Sequence, residues 1–340
     1  RSALPARSEM CIRDSPQIID LDEDDQKFFR QFNTNDEKIR FITLMHIAEE
    51  EREELLPWLH YALQHDPAVI VRQEAAKRLE GWEDSASLQA LANALNDDSM
   101  MVVDAATHSL SEVKNPESAE ILAAYLDSNN SMVKIAILRA LKPLRSIASY
   151  DRILQHTQHR DIHVRREAVS ALSWLQQQQA VDILADIAQN DIDQETRRIA
   201  TGGLSYTQQI SPQVSTALES ALHAPDWQLR VEAALTIGKL RATALEQALL
   251  PLLLDPYWQV RIAVTRSLGL LKSRLALDGL AENFKHEISN LRKEVALALG
   301  EIGGEQSTQL LRDHEQDPDP EVRKAIRIGL DQIREYAHAT

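Results

Sequence analysis

The chain has 340 residues, 44% of them apolar but only 5% aromatic, and just 10 glycines, so alanine and leucine favour a long, close-packed helical core over sheets. A formal net charge of −15 and a pI of about 5.2 disfavour nucleic acid as a partner, and the lack of any apolar run of about 18 residues removes a membrane span. Cys11 is the only cysteine, which excludes internal disulfides and multi-thiolate metal sites and agrees with a cytoplasmic setting.

The chain begins at Arg1 rather than Met, which leaves its true start open, and no signal peptide is visible. Residues 1–20 read as a disordered tail. Within it, 1–15 read as a non-native segment, because Met10-Cys11-Ile12-Arg13-Asp14-Ser15 looks like a translated sequencing adapter; Cys11 has no function in either case. Residues 21–34 are acidic, carry the adjacent Phe28 and Phe29, and predict an amphipathic capping segment.

From there a repeat takes over. A basic residue recurs at Arg40, Arg72, Lys134, Arg165, Arg197, Arg230, Arg261, Arg292 and Arg323, with Val103 standing in once, at spacings of 31 to 33 residues. One residue before it come Val71, Val102, Val133, Val164, Thr196, Leu229, Val260, Leu291 and Val322. Three and seven residues after it the pattern is again apolar, from Ala75 and Leu79 to Ile326 and Leu330. Those offsets share one face of an α-helix. At the sixth residue after it the side chain is small (Ser109, Ala140, Ala171, Gly203, Thr236, Ser267, Ala298, Gly329), which predicts close approach of helix backbones. A second helix fills most units, as in Leu88, Leu91 and Leu95, or Ala119, Leu122 and Leu126, or Val181, Leu184 and Ala188. Asp84-Ser85, Asn115-Pro116 and Ser211-Pro212 separate the two helices, and Asp66-Pro67, Asp255-Pro256 and Asp317-Pro318 separate units, as caps and first-turn residues do. The whole of 21–340 reads as one all-α array, an α-solenoid of about nine to ten helix pairs. Its last unit has a first helix alone, ending near Tyr336; either that helix caps the array or the protein continues. The weakest unit is expected at 191–222, where the period lengthens, Gly202-Gly203 falls inside a helix, and Thr207 takes an apolar core position.

"DPAVIVRQEAAKRL", "DPYWQVRIAVTRSLGLL" and "DPDPEVRKAIRIGL" resemble the first helices of HEAT repeats, especially the short variety of phycobilisome-lyase-like proteins, and "LLPWL" (55–59) and "LLPLL" (249–253) resemble second helices. The resemblance covers about residues 36–336 and implies fold far more than function. HEAT-like deoxyhypusine hydroxylases hold two irons through His-Glu pairs; here the matching positions are Gln73-Glu74, Arg166-Glu167, Val231-Glu232 and Lys293-Glu294, so the glutamate stays and the histidine is missing. His156, His159 and His163 form the one histidine cluster, read as a polar turn and not as a metal site. No phosphate loop or catalytic triad stands out, and no cofactor is expected.

Three function classes remain. The first is a non-catalytic protein-binding scaffold with its partner on the concave face, which the resemblance assigns to the second helices. The alternative is a phycobilin-lyase-like or chaperone-type protein acting on a chromophore protein, and the third, DNA-base recognition, is opposed by the charge. The ladder arginines read as ties to inter-repeat acids (Asp66, Asp97, Asp191, Asp255 and Asp317 six residues before ladder positions; Asp161, Asp226 and Asp319 four before) more than as a binding stripe. Candidate binding residues are an acidic ribbon along the second helices, Glu120, Asp151, Asp182, Asp186, Glu219, Glu246, Asp278 and Glu282, expected to hold a basic segment of a protein partner. Trp227 and Trp258, at one register position of adjacent units with Tyr257 beside them, are either an exposed hot spot or a staple over the helix start.

Overall fold

The structure, a computed structural model, describes residues 23–32 and 34–339. The tail over 1–20, the adapter-like stretch 1–15 and Cys11 lie outside the described residues. No strand occurs among the described residues, and no helix among them is long and apolar enough to cross a membrane. The chain divides into two compact units, one through Leu175 and one from Gln176.

The first unit holds α1 (Glu23–Phe32), α2 (Glu37–Glu49), α3 (Leu56–His65), α4 (Val69–Arg78), α5 (Ser85–Ala94), α6 (Met100–Ser111), α7 (Ser118–Ala123), α8 (Ser131–Leu144), α9 (Tyr150–His156) and α10 (Ile162–Leu175). The even-numbered helices from α2 onward are the first helices of the repeat and pack side by side; α3, α5 and α7 form a second layer against them. The unit is thus an α-solenoid of stacked helix pairs. Helix α1 packs on α2 at the N-terminal end of this unit. Phe29 and Phe32, one turn apart, meet Trp58: Phe29 stacks on it with centroids 3.8 Å apart, and Phe32 meets the same ring edge-on at 6.0 Å.

The second unit holds α11 (Val181–Asn190), α12 (Gln194–Gly203), α13 (Pro212–Leu222), α14 (Trp227–Leu240), α15 (Glu246–Leu249), α16 (Trp258–Leu270), α17 (Leu277–Asn283), α18 (Ser289–Ile302), α19 (Gly304–Asp313) and α20 (Pro320–Ala339). It is built in the same way, with α12, α14, α16, α18 and α20 as first helices. The residues one before and three after each ladder position from Arg72 onward are buried in both units, as the helical face demands. Second helices are less regular. The "LLPLL" stretch is not one α-helix: α15 ends at Leu249 and a 3-10 turn runs over Leu250–Leu254, since Pro251 has no N–H to donate to the preceding turn. In α3, by contrast, Pro57 sits in the first turn, where the missing donor costs nothing.

Helix starts follow the expected chemistry. Asp84 accepts hydrogen bonds from the Ala86 and Ser87 amides, and Ser211 from Val214. Asp226, Asp161 and Asp319, the acids four before ladder positions, likewise cap helix starts, accepting from the amides of Gln228, His163 and Glu321.

The small residues seen in the sequence at the sixth position after the ladder find specific partners. Ser109 Oγ donates to Ala76 O at 2.9 Å, and Ser267 Oγ to Ala234 O at 2.6 Å. In the second unit they also face a glycine eight residues after the ladder position of the previous helix. A Cβ on Gly238, Gly269 or Gly300 would stand 2.9, 2.9 or 2.7 Å from the Cα of Ser267, Ala298 or Gly329. Backbones there are in near contact, a distance only glycine permits.

Candidate functional site

At Arg40, Arg72, Arg230 and Arg292 the ladder is a relay that joins one repeat to the next. Arg40 grips Asp66 through Nε (2.8 Å) and Nη2 (2.9 Å); Arg72 grips Asp97 in the same way, at 2.9 and 2.9 Å. Arg230 and Asp255 (2.8 and 3.1 Å) and Arg292 and Asp317 (2.7 and 3.0 Å) repeat the fork. The sequence spacing suggested a tie between each aspartate and the arginine six residues later. The carboxylate instead goes back to the arginine 25 or 26 residues earlier, and only the backbone carbonyl goes forward. Arg72 Nη1 donates to Asp66 O at 2.9 Å, Arg261 Nε to Asp255 O at 2.6 Å, and Arg323 Nη1 to Asp317 O at 2.7 Å. Each of these turns is therefore held on both sides.

Other ladder positions depart from the fork. Val103 lacks a cation, and the position that would answer it is Ser128. The position that would answer Arg197 is Ala224, and Arg197 donates Nε to Ala188 O at 2.9 Å. Arg261 reaches Asn283 Oδ1 at 3.3 Å. Arg72 and Asp66 are each 1% exposed, so these are interior pairs and not a surface stripe. Hydrogen bonds with Asp66 raise the Arg40 pKa against the cost of burial. Burial opposes ionisation of Asp97, but the Arg72 fork and the Ser99 amide hold its carboxyl below the usual range. The Arg292 fork does the same for Asp317.

Glutamates two residues after the ladder position, the ones that match a metal-binding register, are also engaged. Glu167 takes Arg139 at 2.8 Å and Lys142 at 2.9 Å, Glu232 takes Arg198 at 3.2 Å, Glu294 takes Arg266 at 2.8 Å, and Glu74 takes Arg78 at 2.8 Å. Three of the four bridge neighbouring first helices, which accounts for a glutamate at this register without any metal. His156 is committed too: its ring nitrogens face Arg152 O (2.9 Å) and Leu126 O (3.0 Å), and Lys134 Nζ lies 2.8 Å from Nε2. His159 stacks on it at 5.9 Å and accepts the Asp161 amide.

The second helices present different carboxylates. In the first unit Glu120 on α7 and Asp151 on α9 are exposed. In the second unit Asp182 and Asp186 on α11, Glu219 on α13, and Asp278 and Glu282 on α17 are exposed, and Glu246 at the start of α15 is half-buried. Helix α13 packs beside α11, with Gln213 Nε2 donating to Asp182 O at 3.1 Å, and also beside α15. Glu282 pairs with Lys285 at 2.7 Å. Among the described residues none of the other seven is paired with a lysine or arginine.

Trp227 stacks on Tyr257, centroids 5.8 Å apart and planes 14° from parallel, and the Arg230 guanidinium lies 5.7 Å from the same tyrosine ring. The ring in contact with Trp227 is thus Tyr257, which covers a ladder arginine. Trp258, 37% exposed, stands at the start of α16.

Stacked pairs of this kind, joined by interior Arg–Asp forks, define an all-helical repeat protein. Residues 56–142, 128–205, 214–287 and 255–331 match the family model for HEAT repeats, and the chain belongs to the HEAT-repeat family. Among solved structures, an engineered protein aligns over 91% of this chain and 98% of its own, with 18% identity and a TM-score of 0.51. A mutant of Kap121p aligns over 91% of this chain and 41% of its own (16% identity, TM-score 0.60), and importin beta over 91% and 50% (16%, 0.57). At these identities the likeness is one of fold, and the chain spans half or less of the last two proteins. No curated protein matches the chain significantly.

Proposed function

We propose that this HEAT-repeat chain is a non-catalytic scaffold that binds a basic segment of a protein partner on the second-helix face of the unit from Gln176 onward. The reading rests on how carboxylates are sorted. Those between first helices are neutralised by arginine or lysine, as in the Asp255, Asp317, Glu232 and Glu294 pairs. Those on the second helices, Asp182, Asp186, Glu219 and Asp278, stand exposed without a cation. Unscreened charge of one sign on neighbouring helices raises encounter rates with an opposite charge and selects against polyanions. Glu120 and Asp151 give the second helices of the first unit the same character. Importin beta and Kap121p supply the fold analogy, and their identities carry nothing further.

A lysine decapeptide tests the proposal at two salt concentrations. Asp182→Asn, Asp186→Asn and Glu219→Gln together should weaken binding about tenfold at low salt and flatten the salt dependence. A control with Glu80→Gln, Asp104→Asn and Glu112→Gln, exposed acids of the first-helix side, should change affinity less than about twofold. Equal losses in the two triple variants would reduce the acidic face to bulk charge.

A further inference from the structure

Where the forks pair an arginine with an aspartate, Lys134 on α8 is answered 25 residues later by His159. The exchange keeps one task of the aspartate. Asp97 and Asp317 each accept the amide of the second residue on, from Ser99 and Asp319, both at 2.9 Å; His159 Nδ1 accepts the Asp161 amide at 3.1 Å. His286, which answers Arg261, does the same for the Ile288 amide at 3.1 Å. An imidazole stands in for the carboxylate in this way only while Nδ1 keeps its lone pair. What is lost is the counter-charge.

Cations prevail around the His159 ring. Lys134 Nζ lies 2.8 Å from His156 Nε2 and donates to Leu126 O, the carbonyl that Nε2 also approaches at 3.0 Å. His156 Nδ1 faces Arg152 O at 2.9 Å and must donate to it, which leaves Nε2 to accept from the lysine. His159 stacks on His156 with planes 11° from parallel. From the start of α10, Arg165 Nη1 donates to His159 O at 2.9 Å. The neighbouring carboxylates are already engaged: Asp161 accepts the His163 amide at 2.9 Å, and Asp127, on the turn before α8, takes Arg152 at 2.6 Å. Among the described residues Lys134 makes no ion pair. Burial, and after it the Lys134 ammonium and His156, hold the His159 pKa below the usual value, against the Asp161 carboxylate.

We propose that the junction of α8, α9 and α10 is a pH-operated joint, closed while His159 Nδ1 holds the Asp161 amide and opened when a proton on Nδ1 sets donor against donor and adds a charge beside Lys134. A histidine whose folded pKa is depressed stabilises the closed form fully above the unfolded value of about 6.5, and progressively less as pH falls below it. The opening is local. Helices α8 and α10 also pack directly on each other, so the array stays stacked while α9 and the turn that leads into α10 loosen.

Hydrogen exchange of the full chain tests the joint. Below about pH 6.5 each unit makes opening up to about tenfold easier for one proton taken up, so protection factors of amides 157–163 should fall about tenfold between about pH 7.5 and about pH 5.5. Amides 98–103, beside the Arg72–Asp97 fork, should change less than about twofold over the same range. His159→Asp restores a carboxylate at the ladder spacing and should bring the fall at 157–163 down to that level. His159→Asn, which keeps an acceptor that does not titrate, should do the same and keeps the test readable if the aspartate variant folds poorly. Protection at 157–163 that is independent of pH in the unaltered chain, or an undiminished fall in the Asn variant, would overturn the proposal.

Discussion

Arg72 spends all three guanidinium nitrogens inside the protein: Nε and Nη2 on Asp97, Nη2 also on Asp98 at 2.8 Å, and Nη1 on Asp66 O and Pro67 O. Truncation leaves the buried Asp97 with the Ser99 amide but without its cation, and for an interior pair that costs about 3–5 kcal/mol. Arg72→Ala should therefore lower the urea midpoint strongly, whereas Arg261→Ala, which releases a carbonyl and an amide oxygen, should cost only about 1–3 kcal/mol. Equal midpoint shifts for the two variants would contradict the relay. The same groups set the acid response. The folded pKa values of Asp97 and Asp317 lie below the unfolded value of about 3.9, so their stabilisation is complete above that pH and is lost as pH falls through the folded values. His60, hydrogen-bonded to Ser87 at 2.8 Å, is depressed by burial, so its contribution is present above about 6.5 and begins to fade below that. A thermal melt series should show a shallow decline from about pH 6.5 and a steep one below about pH 4. A melting temperature unchanged down to pH 3 would refute this assignment.

At the level of helices, the period, the core face and the caps were legible because each depends on spacing within one helix or one turn. What joins the helices was less so. The small residues at the sixth position were visible, but their glycine partners occur in only three repeats and lie on the neighbouring helix, so spacing within a helix says nothing of them. The aspartates were visible too, yet the nearest arginine in sequence is not the one that takes the carboxylate. Left-handed residues just past the first helices, Glu51, Arg145, Gln176, Arg241 and Lys272, carry no sequence mark at all; only Gly303, at the same register, looks like a helix stop. Of the candidate site, the acidic positions could be read one by one, whereas the absence of cations beside them required side-chain geometry. Two predictions belong here. Gly269→Ala places a Cβ 2.9 Å from the Ala298 backbone, which cannot move alone; it should destabilise by about 1–3 kcal/mol despite alanine's better helix propensity, and a rise in melting temperature would show that the helices part easily. Helix α12 stops after 10 residues at Gly203, and its Arg197 has no aspartate fork from α13. Thr207 is less of a defect than its position suggests, since its hydroxyl donates to Gln209 O and accepts from Gln178. Amides of 194–222 should still exchange faster than those of 227–254, and equal rates would show that the missing fork does not matter.

For the molecule as a whole, stability is built from nearest-neighbour terms within each unit, because each helix pair touches chiefly its neighbours. Cooperativity then depends on the weakest interface. Calorimetric unfolding should show a total enthalpy larger than the van't Hoff value, and a ratio of one would mean that the whole chain melts as a single unit. The relay has one more consequence, for how such a chain changes length. Each fork reads what lies one period away, and Asp66, Asp255 and Asp317 divide their work, side chain backward and carbonyl forward. Excision of residues 256–286, a stretch as long as the 31-residue spacing between Arg230, Arg261 and Arg292, would set Asp255 six residues ahead of Arg292 with its carboxylate still on Arg230. No rung is orphaned by such a cut, and none by the matching duplication. Copy number is therefore free to drift by whole units, and a single added residue is absorbed as well, since Arg40 holds Asp66 across 26 residues where the other forks span 25; an insertion that carries an aspartate out of reach of its arginine strands a charge in the interior.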